Sequence, residues 1–371
     1  MAKKKSRLEI AQEEAQAAVN KTNERIEALG NVTATLYSEL TDIQMAFDAI
    51  RNVPSEKKLQ YEELKQIRLN WKQQAEKIEK DYETAAIKNA STGVAGTGLG
   101  IAVVTMGPTV AMGVATTFGV ASTGTAISAL SGAAATNAAL AWLGGGALAV
   151  GGGGMAAGNA FLALAGPIGW AIAGVSLLAS GILLLKSHIN KRAMEDLFTL
   201  ISKRDVTSYE LAIVELNERI TRIIDESEKL EKANEDIRSF GLDYNSMSEA
   251  QQYALGAYVN LMLSSTQLLI NPIFGLLPKY TEEELEEFIS QEINEKRIQS
   301  CSEHKSLIVA LANFIYKIEI SESHRKLLWK YLRNNKEFLE SLNISKKEFS
   351  IDLMDVVVKV LNYKYKKSET Q

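Results

Sequence analysis

The sequence predicts an all-α chain: a long helical bundle or coiled-coil stalk, a Gly/Ala-rich hydrophobic helical hairpin, and a C-terminal helical domain. Three observations carry that expectation. Apolar residues recur at alternating intervals of three and four through the charged parts of the chain. No run of short alternating strands separated by turns occurs. Thirdly, residues 89–185 contain no Asp, Glu, Lys, Arg or His over 97 positions, although 23% of the 371 residues are charged. At that charge density the chance of such a gap is on the order of 10⁻¹¹. Four segments follow: a helical hairpin at 1–90, an uncharged segment at 91–186, a long returning helix at 187–241 and a helical domain at 242–371.

Ile26, Leu29, Thr33, Leu36, Leu40, Ile43, Phe47 and Ile50 form an a/d seam, which Val19 and Thr22 extend upstream. Pro54 ends this helix, because it lacks an N–H and biases Val53 away from the α region. Leu64, Ile67, Trp71, Gln74 and Ile78 repeat the spacing in a second helix over 55–88. The short connection predicts an antiparallel hairpin. After the uncharged segment, Tyr209, Ile213, Leu216, Ile220, Ile223, Ser227, Leu230, Asn234 and Ile237 alternate by four and three, with Gly241 as a C-cap. These seams fit an ordinary helical bundle or an intermolecular coiled coil. In the last 130 residues, Ser246 with Glu249 and Thr281 with Glu284 fit capping boxes. Further helices are expected at 302–318, 322–342 and 346–366. The β-branched run at 351–360 admits a strand, but its helical surroundings favour helix.

Inside the uncharged segment, residues 161–185 would span about 37 Å as a helix, enough for a hydrocarbon core of roughly 30 Å. Lys186, Lys191 and Arg192, with His188 among them, follow as a basic anchor, and Lys88 precedes the segment. Small residues recur every four positions: Gly96 and Gly100; Ala111, Ala115 and Gly119, continued by Thr123; Gly154 and Gly158. Such ridges let helix backbones approach closely in lipid. Pro108 and Pro167 are expected kinks, and Gly145 and Gly152 hinges. Trp142 and Trp170 suit an interface or a bundle contact. If both flanks stay on one side, the segment crosses two or four times; a hairpin of two is preferred. The alternative is a Gly/Ala-rich core of a large soluble bundle, although such a core needs more large side chains to fill it. Outside 161–185 the segment is only marginally apolar. Covering helices can hold it in water and release it later.

Little points to catalysis or metal binding. Lys+Arg is 41 and Asp+Glu is 45, which gives a net charge of −4 and no basic excess for nucleic acid. One Cys excludes a disulfide framework, and three His leave little for a metal. Gly96-Thr-Gly98-Leu-Gly100 lacks the Gly-Lys-Ser/Thr ending of a phosphate loop and follows no strand. Cys301 and His304 have metal-like spacing but no second pair, and read as a helix surface. No cofactor, metal or enzymatic activity is expected. Residues 1–10 hold lysines, but no apolar stretch follows to make a secretory signal. A cytoplasmic or inner-membrane location is therefore expected.

The helical hairpin, uncharged Gly/Ala hairpin and long returning helix resemble the layout of α-helical pore-forming toxins of the cytolysin and tripartite-enterotoxin type. The stretch SGAAATNAALAWLGGGALAVGGGGMAAG at 131–158 is similar to the Ala/Gly-rich part of interferon-inducible small hydrophobic proteins. It also resembles the membrane-addressing region of the apolipoprotein L family. The likeness covers 90–186 in composition and 1–240 in layout. It implies a membrane-inserting, oligomerising protein with the lipid bilayer and further copies as partners. Residues 242–371 would sense or bind another protein. A secreted toxin would carry an export signal; without one, an intracellular effector such as a bacterial defence protein fits better. A constitutive membrane anchor or scaffold adaptor and a soluble regulator of a related toxin are the rival expectations.

Overall fold

A computed structural model describes residues 7–91, 108–118, 188–277, 279–334, 339 and 344–370. The fold is all-α, and no strand occurs among the described residues. The helices are α1 (Arg7–Ala49), α2 (Ser55–Ser91), α3 (Pro108–Phe118), α4 (His188–Ser239) and α5 (Glu249–Ile270), then α6 (Glu282–Gln291), α7 (Glu295–Glu303), α8 (Lys305–Ile315), α9 (Glu322–Arg333) and α10 (Asp352–Thr370).

The frame is the pair α1 and α4. Every seam residue of α1 from Ile26 to Ile50 is buried, as are Tyr209, Leu216, Ile223, Leu230 and Ile237 of α4. The two helices run parallel. Arg7 reaches Asp196 at one end (3.4 Å), and at the other Arg51 forms a backbone bridge with Asp243. The threonines of the α1 stripe are satisfied locally, whereas Ser227 Oγ and Asn234 Oδ1 of the α4 stripe are buried without a hydrogen bond. The Thr22 and Thr33 hydroxyls donate to the carbonyls of Ala18 and Leu29, four residues back in each case.

At Pro54 the chain reverses, and α2 runs back along α1. Phe47 meets Tyr61 with ring centroids 5.2 Å apart, and Tyr37 meets Trp71 at 5.4 Å. The turn is stitched to the one after α4. Arg51 N–H donates to Leu242 O (2.9 Å), Tyr244 N–H donates to Arg51 O (3.0 Å), and the Asn52 amide donates to Asp243 Oδ1 (3.0 Å). Asn52 takes φ +62° here, a left-handed value that asparagine tolerates, and Gly241 takes φ +86° to stop α4.

The Thr281–Glu284 capping box forms as expected. The box expected at Ser246 and Glu249 forms two residues later, at Ser248 and Gln251. A 3-10 turn over Tyr244–Ser246, capped by Asp243, buries Tyr244 and delays the start of α5. The single helix expected at 302–318 is interrupted at His304, which ends α7 and precedes α8. The β-branched run lies in helix α10.

Two apolar cores result. The first joins α1, α2, α3, α4 from Tyr209 onward, α5 and the 3-10 turn Phe274–Leu276. The second joins Met194, Leu197, Phe198 and Ile201 at the start of α4 with Tyr280 and α6 to α10. Residues 249–276 thus pack with the long helices, although their place in the sequence groups them with the C-terminal helices. α4 passes from one core to the other near Arg204.

Candidate functional site

The site is the cradle around α3, the described part of the uncharged segment. Ala111 to Thr117 are all buried, with Val114, Thr116 and Thr117 at 0% exposure. α3 lies against α1, α2 and α5. Its tightest approach is glycine on glycine. A Cβ placed on Gly30 of α1 would stand 1.9 Å from the Thr109 carbonyl oxygen, and one on Gly113 would stand 2.2 Å from the Ile26 carbonyl oxygen. The two backbones touch where neither has a side chain. At its C-terminal end α3 is held by the Ile273 N–H, which donates to Thr117 O (2.7 Å). Inside the helix, Thr117 Oγ1 donates to Gly113 O (2.8 Å), while Thr116 Oγ1 is buried without a hydrogen bond.

Of the residues expected at a membrane site, Ala111 and Ala115 lie in this cradle, both 1% exposed. Pro108 was expected to kink a hydrophobic helix. It is exposed and is the first described residue of α3. Arg192 is exposed in α4, and Lys88 and Lys191 belong to α2 and α4. Gly96, Gly100, Gly119, Trp142, Gly145, Gly152, Gly154, Gly158, Pro167, Trp170 and Lys186 lie outside the described residues. Sequence reasoning missed Gly30 and Gly113. The signal was present for Gly30: it is the only glycine in residues 1–92 and interrupts a heptad helix, where glycine costs about 1 kcal/mol unless packing requires it.

A buried cation lies between α1 and α2, further along α1 than the slot. Arg68 of α2 is 3% exposed. Its Nη2 donates to Gln44 Oε1 of α1 (3.0 Å), and its Nη1 has no partner. Burial lowers the guanidinium to about 10, partly offset by Tyr37 and Asp48. A charge held by one neutral amide is an unfavourable contact within an otherwise apolar seam.

The junction between the cores is polar. The Arg204 guanidinium binds the Asp205 carboxylate (2.7 Å) and caps the end of α8, where Nη1 reaches the carbonyls of Phe314 (2.9 Å) and Tyr316 (2.7 Å). Asp205 is 1% exposed; burial pushes its carboxyl up to about 6, against the pull of Arg204 and Lys279. Asn313 is fully used. Its Oδ1 accepts from the Lys279 and Tyr280 N–H groups (2.7 and 2.9 Å), and its amide donates to Tyr280 O (2.7 Å) and Val309 O (3.0 Å). Cys301 and His304, expected on a helix surface, differ: Cys301 is buried in the second core, and His304 is half-buried. No cluster of metal-binding side chains occurs among the described residues.

One helix among the described residues is long and apolar enough to cross a membrane, the stretch Glu249–Leu276 that begins with α5. No family model, curated protein or solved structure matches the chain.

Proposed function

We propose that this chain is a membrane-active, non-enzymatic effector. It stores part of its uncharged segment in a helical bundle, then delivers residues 93–185 to a lipid bilayer and assembles with further copies into a pore or lesion. The observation that carries this reading is the burial of α3. A piece of a 97-residue charge-free stretch is seated in a glycine-lined slot between α1, α2 and α5. The slot is a shield that water-soluble storage of such a segment needs, and small residues can serve again for helix contact in lipid. The resemblance to pore-forming toxins supports action on a membrane, as in bacterial defence, with 242–371 receiving the trigger from a protein partner.

Purified full-length protein should release dye from liposomes. Leu178→Arg, in the most apolar stretch, should abolish release and leave the melting of the bundle unchanged. Gly119→Leu or Gly158→Leu should impair assembly. Intact vesicles across lipid compositions, pH values and temperatures would contradict the proposal. The same burial of α3 favours a second reading, a soluble helical regulator that never opens. Persistent recovery as a soluble monomer without leakage would favour it. Carbonate-resistant membrane association without leakage would favour a constitutive anchor.

A further inference from the structure

After its first residue, Glu249, α5 carries no charge on any side, yet only part of it is buried. Residues 250–278 contain no Asp, Glu, Lys, Arg or His. A helix without a charged face is ordinarily enclosed by protein or by lipid. α5 sends Leu255, Val259, Met262 and Leu269 into the first core, but only half of its apolar window is buried. Tyr253, Ala257, Asn260, Leu263 and Ser264 face outward, with Tyr253 82% and Leu263 45% exposed. Its neighbour α4 also exposes Leu200, Leu211, Val214 and Ile224, but sets Lys203, Glu210, Glu218, Arg222, Asp225 and Glu228 among them.

The clasp that holds α5 is one-sided. Glu226 of α4 accepts from the Ser264 and Ser265 hydroxyls (3.0 and 2.9 Å), and Asp236 accepts from Tyr258 OH (2.7 Å). Arg219 donates to the Leu268 and Asn271 carbonyls (2.7 and 2.8 Å). Every charge in these contacts belongs to α4. If α5 left, it would carry no charge beyond Glu249 at its first position, and the single proton of the Ser264 hydroxyl could turn to Leu261 O within its own helix (2.9 Å). The 22 residues of α5 rise about 33 Å, close to a hydrocarbon core of roughly 30 Å. The backbone bond from Ile273 to Thr117 ties the segment after α5 to the end of α3.

We infer that α5 is a second membrane-entering element, sited far in sequence from residues 93–185, which leaves α4 and enters lipid hydrocarbon when α3 leaves its slot. The inference rests on the reading that the chain meets a bilayer, and it names a second part of the chain that the bilayer takes up.

The test uses full-length protein with Cys301→Ser and Leu263→Cys, labelled with an environment-sensitive fluorophore, on vesicles of phosphatidylcholine and phosphatidylglycerol. A Leu211→Cys label on the outward face of α4, 61% exposed, is the comparison. The Leu263 label should shift to the blue and be quenched by acyl-chain bromines, while the Leu211 label stays in water. Leu263→Lys, at an exposed site, should preserve folding and lower dye release at least about tenfold. A Leu263 label that stays in water while dye escapes would overturn the inference. So would one shielded from water but not quenched by lipid, which would mean that protein, such as a second copy, covers this face. Quenching at Leu263 without quenching of Trp142 and Trp170 would sustain the inference and refute delivery of residues 93–185.

Discussion

Gly30 of α1 and Gly113 of α3 cross with no room for a methyl group at either position. A methyl at either must push the helices apart, and overpacking of this kind costs about 1–3 kcal/mol. Gly30→Ala and Gly113→Ala should each lower the unfolding free energy measured in urea by that amount and raise dye release at a given protein concentration. Gly256→Ala in α5 is the control, since nothing lies within 4 Å of the added carbon. It should raise stability by about 0.5–1 kcal/mol through helix propensity.

Arg68 and Gln44 give opposite signs. Gln44→Ala removes the one partner of a buried guanidinium and should destabilise by about 1–3 kcal/mol. Arg68→Met removes the charge itself and should leave stability unchanged or raise it by up to about 2 kcal/mol. Firmer seating of α2 should then slow dye release. Denaturant melts of the two variants with vesicle assays alongside check both signs.

Stability should carry a pH signature from Asp205. Its carboxyl in the folded chain is pushed up to about 6 by burial, against an ordinary value near 3.8. Between those values the folded state holds a proton that the unfolded state has lost, so Asp205's contribution grows as pH falls from about 6 to about 4 and is lost as pH rises through 6. The groups around it are Arg204, Tyr209 and Lys279. Asp205→Asn should flatten this limb of the stability–pH curve in paired melts. Parallel curves for the two proteins would refute the assignment.

Asn313 uses its side chain for four hydrogen bonds within the second core. Asn313→Ala strands the Lys279 and Tyr280 N–H groups and should cost about 2–3 kcal/mol. Thermal melts should show the loss, and protection from hydrogen exchange should fall at residues 279–280 before it falls in α1.

The helices were legible because their periodicity is long and regular: the residues from Ile26 to Ile50 are buried in the order their spacing implies. Which helix each stripe faces was not legible. The α1 seam would fit α2 alone equally well, and the parallel partner α4 lies about 190 positions away. α3 was hidden for a different reason. Ala, Gly and Thr at four-residue spacing suit a lipid interface and a tight protein slot alike, so Ala111 and Ala115 could be assigned to packing but not to a partner. The single glycine at position 30 was the one trace of that slot outside the uncharged segment. α5 reads in the sequence as a capped helix, and a lack of charge over 250–278 suits a protein core and lipid alike.

Trp142 and Trp170 both lie within the uncharged segment, and the other two tryptophans, Trp71 and Trp329, can be replaced by Phe. Quenching of the remaining fluorescence by lipids brominated along the acyl chain reads whether that segment reaches hydrocarbon. The account predicts quenching on vesicles that leak, strongest for bromines deep in the chain, and none in solution. Fluorescence unaffected by brominated lipid while the protein is bound to leaking vesicles would contradict it.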